Sequence, residues 1–335
     1  MTGGGDAPGL NGIIEAATKS LLLSGHEVFG IPDGFEGVFL QKAIPLTRNL
    51  VHGINSEAGT LLGSSNRSST TGREQEFLDK LSSMNLDGLI VAGGDGTFRS
   101  LQDVKTNLPL VGVPKTIDND LPGTDVTFGY DTACSVVCEA VDSLKSTARA
   151  HKRILVVEAM GRTAGWLALG GGIAGMADVI LIPEQPFPEA ELKKFLQQRI
   201  HEQRGLIIVV SEGVTLSDDV NRSMDKSGQS QVVADYGVAD KLAHWIEKEV
   251  QWETRQVVLG HLQRGRAPST TDRFLTLKMG LEAARLADEK LWGMAASYRN
   301  GSVQAVPISD FMGPPRRVQP DDPWLNMAKD LGIFI

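Results

Sequence analysis

Leu89-Ile90-Val91-Ala92 runs directly into Gly93-Gly94-Asp95-Gly96-Thr97. A little further on, Leu110-Val111-Gly112-Val113 runs into Pro114-Lys115-Thr116-Ile117-Asp118-Asn119-Asp120. A compact apolar run closed by glycine or proline reads as a buried parallel strand. The acidic residues then stand at the carboxyl ends of two strands, where open α/β sheets form their ligand crevice. Glycine amides, a carboxylate suited to Mg²⁺ and a second carboxylate able to act as base form a set suited to phosphoryl transfer.

The alternation continues along the chain. Helical patterns cover 8–24, 75–84, 97–106, 132–149, 163–175, 189–203, 237–250 and 270–289. Strand patterns cover 27–31, 87–92, 108–114, 153–159, 179–184, 205–211 and 254–261, and the tail after 289 is less regular. Strands separated by helices imply right-handed crossovers and mainly parallel sheets, here an α/β fold with two sheets. Ser217–Gln231 is polar and reads as an exposed loop.

At 335 residues the chain has room for two domains. Its 41 acidic residues outnumber 33 basic ones, and no basic run compensates, which argues against nucleic-acid binding. Cys134 and Cys138 lie four apart in a helical pattern, too few for a metal site and poorly placed for a disulfide. Sparse thiols suit a reducing cytoplasm. Nothing approaches a membrane-spanning stretch, and no signal-peptide pattern opens the chain. Only Met1 and Thr2 precede the glycine turn Gly3–Gly9, where a strand is expected, so a missing first strand or a late start is the expectation.

Each motif has a plain and a functional reading. Gly3–Gly9 is either a simple turn into a helix or an anion cradle of backbone amides. In Gly93–Thr97, Asp95 either caps the next helix or holds Mg²⁺ beside a phosphate. Asp118 and Asp120 either bond their own loop or present a base to a hydroxyl. Arg153, Arg162, Arg255, Arg264 and Arg273 fall at strand ends or in glycine-bounded turns, and a guanidinium can grip phosphate with two donors. His261 is structural or a phosphate ligand, and Glu212, after Leu206–Val210, is a loop contact or an acceptor for sugar hydroxyls.

In this order Gly4–Asn11, Gly93–Thr97, Pro114–Asp120, Met160-Gly161-Arg162 and Gly260–Gly265 resemble the 6-phosphofructokinase family, over nearly the whole chain and at the compact bacterial length. The resemblance implies two Rossmann-like domains with the active site in the cleft between them. Residues 1–129 plus 262–312 would bind the phosphoryl donor, and 130–261 plus 313–335 the sugar phosphate. It further implies Asp118 as the base on the sugar 1-hydroxyl and Asp95 as the Mg²⁺ ligand. Gly5 and Thr116 would hold the transferring phosphoryl group, and Arg162 would stabilise it. Gly94, Gly96, Thr97, Lys115 and Arg67 would line the donor site. Met160, Gly161, Asp120 and Glu212 would surround the fructose ring, and Arg153, Arg255, His261 and Arg264 would form the 6-phosphate cluster. In the family the equivalents of Arg153 and Arg255 come from a neighbouring subunit, so a homodimer or homotetramer with shared active sites is expected.

The implied reaction converts fructose 6-phosphate to fructose 1,6-bisphosphate. Gly96 leaves room for a nucleotide's inner phosphate where pyrophosphate-using relatives carry aspartate; Lys115 resembles the pyrophosphate type. ATP is the expected donor and pyrophosphate the alternative. Departures from the pattern are Arg67, one residue later than the usual arginine, Arg266 in place of glycine, and Glu15 where effector-sensitive members have a basic residue. Phe39 lies near the position of an aromatic that packs on adenine, and a core phenylalanine is the simpler alternative. Competing expectations are another kinase with a Gly-Gly-Asp-Gly turn, acting on NAD or a lipid, and a sugar-phosphate-binding subunit without turnover.

Overall fold

Strand and helix alternate throughout the computed structural model, which describes residues 1–65, 68–101, 108–216 and 237–335. In chain order come α1 (Leu10–Leu23), β1 (Phe29–Gly30), α2 (Phe35–Phe39), β2 (Ile44–Pro45), α3 (Glu74–Ser83), β3 (Leu89–Gly93), α4 (Asp95–Ser100) and β4 (Leu110–Pro114). Then follow α5 (Tyr130–His151), β5 (Ile154–Ala159), α6 (Trp166–Ala174), β6 (Val179–Leu181), α7 (Glu189–Glu202) and β7 (Leu206–Ser211). The run ends with α8 (Val238–Glu249), β8 (Thr254–Val258), α9 (Thr270–Asp288), β9 (Met294–Arg299), β10 (Ser302–Pro307) and α10 (Pro323–Asp330).

The chain divides into two units. The first comprises Met1–Ile117, Leu121–Thr132 and Arg264–Pro315; the second comprises Asp118–Asp120, Ala133–Gln263 and Arg316–Ile335. In the first, the sheet order is β10-β9-β4-β3. β3, β4 and β9 are parallel, and β10 closes one edge antiparallel to β9. Phe98 stacks on Phe311 at 5.4 Å inside a core that includes Phe77, Val91 and Leu110. The second unit carries an all-parallel sheet of order β6-β7-β5-β8. Every residue of β5 and β7 is buried, as strands covered on both faces must be, whereas β8 is mostly exposed at its edge. The mixed α/β fold with mainly parallel sheets is the one expected.

Differences from the sequence reading have local causes. The strand expected over 27–31 pairs only at Phe29 and Gly30, with β2. The one expected over 179–184 stops at Leu181, two residues before Pro183, which has no amide to donate. The one over 254–261 stops at Val258, and Gly260–Gln263 turns as a 3-10 helix. Residues 102–106 of the helix expected over 97–106 lie outside the described residues, as does the loop Ser217–Gln231. Ahead of the first glycine turn, Met1 and Thr2 lie alongside β3. The Ala92 amide donates to the Met1 carbonyl at 3.1 Å, and the Gly3 amide to the Ala92 carbonyl at 2.9 Å. The irregular tail contains a hairpin of β9 and β10, turned at Asn300-Gly301 with φ of 51° and 81°, the pairing two-residue hairpins favour.

One buried carboxylate stitches the first unit together. Asp272, in the first turn of α9, accepts from the Gly129 amide at 2.8 Å and from both the amide (2.8 Å) and hydroxyl of Thr132. Burial pushes its carboxyl up to about 6, with the Thr132 and Gly129 donors opposing. Because folding raises this pKa, the stability it contributes is whole below the unfolded value and is lost as the pH rises through 6. The cost of Asp272→Asn, read from urea midpoints, should therefore be largest near pH 4 and shrink by up to ~3 kcal/mol by neutral pH. A cost that does not change over that range would show that Asp272 stays ionised.

Candidate active site

In the first unit, three segments converge because glycines leave room for their neighbours. A Cβ on Gly93 would lie 2.4 Å from Thr97 Cγ2, and one on Gly3 would lie 2.9 Å from Thr97 Oγ1. Thr97 is only 4% exposed, so its side chain fills the space between the two glycine turns. Lys115 is also buried, and its ammonium donates to the Gly5 carbonyl. A Cβ on Gly94 would stand 3.1 Å from the Lys115 carbonyl, and one on Gly5 only 2.0 Å from Arg264 Nη1. Thr116 follows Lys115 at the end of β4. Gly5, Gly94, Thr97, Lys115 and Arg264 are thus neighbours in one unit.

Asp95 opens α4 and pairs with Arg99 at 2.7 Å across one helical turn, while remaining partly exposed. Next to it, a Cβ on Gly96 would meet no protein atom within 4 Å. Arg67 lies outside the described residues.

In the second unit, β5 and β7 end side by side, and their carboxyl ends carry Met160-Gly161-Arg162 and Glu212. Glu212 accepts from the Arg162 amide at 2.8 Å and the Gly161 amide at 3.3 Å, which fixes a turn where Gly161 has φ 141° and Arg162 φ 53°. Burial pushes the Glu212 carboxyl above its ordinary pKa, opposed by the Arg162 amide and reinforced by the charge of Asp118. Asp118 is buried, 4.0 Å from Arg162 Nε, and the Arg162 side chain is 66% exposed. A buried carboxylate therefore faces a guanidinium that reaches into solvent. Asp120, two residues on, is also buried.

Arg153 and Arg255 are elsewhere. Arg153 immediately precedes β5, and Arg255 lies opposite Leu155 near the start of β8. Both pair with Glu253, at 2.9 and 2.8 Å, and Arg255 also with Glu247. They sit at the amino end of the sheet, whereas Met160, Arg162 and Glu212 sit at the carboxyl end. The six residues of β5 separate Arg153 from Met160, roughly 20 Å. His261 lies beyond β8, exposed in the 3-10 turn.

The sequence reading missed three residues that position these side chains of the second unit. Gln263 is fully buried; its amide oxygen accepts from the Met160 amide at 3.3 Å and its nitrogen donates to the Gly260 carbonyl at 3.1 Å. Its place inside the glycine-bounded Gly260–Gly265 motif was the available signal. Glu184 accepts from the Gly165 amide at 2.9 Å and the Val318 amide at 3.1 Å. Arg316 contacts the Asp118–Asp120 loop from the distant tail, where nothing in the local pattern marks it.

Residues 1–287 match the family model for phosphofructokinase. An ATP-dependent 6-phosphofructokinase of Chloroflexus aurantiacus is 40% identical over 99% of this chain and 96% of its own. A pyrophosphate–fructose 6-phosphate 1-phosphotransferase of Streptomyces coelicolor is 39% identical, covering 100% of this chain and 98% of its own. Among solved structures, the phosphofructokinase of Pichia pastoris in the T-state matches with a TM-score of 0.82 at 30% identity over 93% of this chain. The present chain spans only 35% of that one. The chain is an α/β phosphotransferase built on two four-stranded sheets. It belongs to the phosphofructokinase family.

The Arg162 turn is packed closely enough to test. A Cβ on Gly213 would lie 1.9 Å from the Arg162 carbonyl, so Gly213→Ala must displace that turn. We expect a folded variant whose kcat falls about 100-fold, since a shift of about 1 Å at a reacting group can cost that much. Wild-type kcat in the variant would show that Arg162 does not need this geometry.

Proposed function

We propose that this chain is an ATP-dependent 6-phosphofructokinase, transferring the terminal phosphoryl group of ATP to the 1-hydroxyl of fructose 6-phosphate. The observation that carries the reading is Asp118, a buried carboxylate 4.0 Å from the outward-reaching guanidinium of Arg162. Asp118 takes the hydroxyl proton as the sugar oxygen bonds to phosphorus and the bond to ADP breaks. Arg162 lies against the transferring group and offsets its charge. Met160, Gly161, Asp120 and Glu212 surround the sugar, with Glu212 also holding the Arg162 turn. Gly5, Gly94, Gly96, Thr97, Lys115 and Thr116 form the donor side, Arg67 being assigned to it by resemblance alone. The larger unit would thus take the donor and the smaller the sugar phosphate.

Asp95 is the residue that would hold Mg²⁺. Among the described residues no group of three or more His, Cys, Asp or Glu side chains gathers around a metal position. One carboxylate fits an ion whose shell is otherwise completed by phosphate oxygens and water. Bound there, Mg²⁺ would neutralise charge on the donor phosphates.

Two observations bear on the donor. The open space beside Gly96 accommodates an inner phosphate, which favours ATP. A pyrophosphate-using relative at 39% identity, and the presence of Lys115, favour the second reading. The experiment is a product assay with fructose 6-phosphate, Mg²⁺ and either ATP or pyrophosphate. Wild type should yield bisphosphate with ATP. Asp118→Ser should lose at least ~1,000-fold of kcat while keeping sugar-phosphate affinity. Gly96→Asp should fold normally and lose ATP turnover by about 10-fold or more through repulsion of the inner phosphate. Turnover with pyrophosphate alone would overturn the donor assignment.

Arg153 and Arg255 support a shared active site. Within one chain they lie at the end of the sheet opposite Arg162, so a neighbouring copy would have to supply them to the sugar 6-phosphate, beside His261 and Arg264. A homodimer or homotetramer follows from this reading. Mixing Asp118→Ser with Arg255→Ala chains should then restore part of the activity that each lacks, because one hybrid site has both wild-type residues. Mixtures no more active than their components would remove the shared-site reading. No helix among the described residues is long and apolar enough to cross a membrane. Reduced thiols at Cys134 and Cys138 fit the cytoplasmic setting this glycolytic reaction implies.

A further inference from the structure

Asn119, between the two aspartates, has φ 55°, a left-handed conformation that asparagine tolerates but other side chains resist. Its carbonyl receives two hydrogen bonds from one guanidinium: Arg316 Nη2 donates at 2.9 Å and Arg316 Nε at 3.2 Å. The Arg316 amide also donates to the Asp120 carbonyl at 2.6 Å. Three donors of one residue therefore hold two consecutive carbonyls of the acidic loop.

Arg316 is itself held. Its guanidinium carbon lies 4.8 Å from the centre of the Trp166 ring, a cation-π contact, and its carbonyl accepts from Trp166 Nε1 at 3.0 Å. Two residues on, the Val318 amide donates to Glu184, which also receives the Gly165 amide next to Trp166. The tail is thus anchored to the start of α6, and from that anchor reaches the loop bearing Asp118 and Asp120.

We infer that Arg316 is a positioning residue for the reaction, setting the aim of Asp118 and Asp120 by gripping the carbonyl between them. This rests on the reading of Asp118 as the base. Arginine is suited to the task because a flat fork reaches one carbonyl with two donors while stacking on an indole. A lysine provides a point charge without that fork.

The test compares wild type, Arg316→Lys and Arg316→Ala by steady-state kinetics and by amide exchange at Asn119 and Asp120. Arg316→Ala should keep its donor KM within about two-fold while kcat falls about 30-fold or more. Added guanidinium ion should recover part of that loss. Arg316→Lys, the milder change, should show a smaller kcat loss in the same direction and faster exchange at both amides. It keeps the test intact if the alanine variant does not fold. Wild-type kcat in Arg316→Lys, with unchanged exchange, overturns the inference. So does a kcat loss that guanidinium leaves untouched and that raises donor KM in parallel. If wild type itself fails to phosphorylate fructose 6-phosphate, the functional reading fails instead, and the exchange arm still reports on the grip.

Discussion

Parallel strands buried on both faces impose a direction on everything attached to them. The strand ladders satisfy the backbone inside the sheet, and the crossover helices return the chain to the same edge each time. All turns that follow strands therefore collect at the carboxyl end, and all turns that precede them collect at the other. In the second unit this places the Met160–Arg162 turn next to Glu212, because β5 and β7 are adjacent and in register from Ile154–Leu206 to Ala159–Ser211. The same rule removes Arg153 and Arg255 from that edge. Sequence distance is irrelevant to either outcome; strand order and polarity decide both.

At those turns, carboxylates are used to bind main-chain amides. Glu212 caps Gly161 and Arg162, Glu158 receives the Ala239 amide at 2.8 Å, Glu184 joins Gly165 to Val318, and Asp272 joins Gly129 to Thr132. An unmade hydrogen bond at a buried amide costs about 1–3 kcal/mol, so each carboxylate secures two segments at once. Glu212 illustrates the consequence. Burial raises its pKa, the like charge of its neighbour Asp118 raises it further, and the amides of the Arg162 turn oppose that rise. Charge, strain and backbone are therefore balanced against each other within a few residues.

Much of this was legible in the sequence, for reasons that differ by residue. Leu89–Ala92, Leu110–Val113 and Leu206–Val210 announce themselves as buried strands, and the order of each run also says which end carries the acid. Asn300-Gly301 signals a hairpin as strongly as any dipeptide does, and Asp322-Pro323 signals the start of α10. The part that no local pattern reveals is contact between distant segments. Thr97, a proposed donor contact, is also a packing wedge between Gly3 and Gly93. Lys115, proposed for the same side, also donates to the Gly5 carbonyl. Arg316, some two hundred residues from Asp118, had no signal beyond its proximity to two prolines.

Several residues assigned to ligands already have protein partners: Asp95 has Arg99, Arg153 shares Glu253 with Arg255, and Arg255 also has Glu247. These pairs are partly exposed, and such pairs stabilise a fold little because water competes for both ions. They still orient long side chains that would otherwise lose conformational freedom when a phosphate arrives. A ligand that replaces the carboxylate partner recovers the electrostatic contact and adds two-point hydrogen bonding. Weak surface pairing is thus compatible with tight phosphate recognition. The buried contacts of Lys115 and Glu212 are of another kind, since breaking them would leave polar groups stranded. Those two hold the frame on which the exchangeable groups turn.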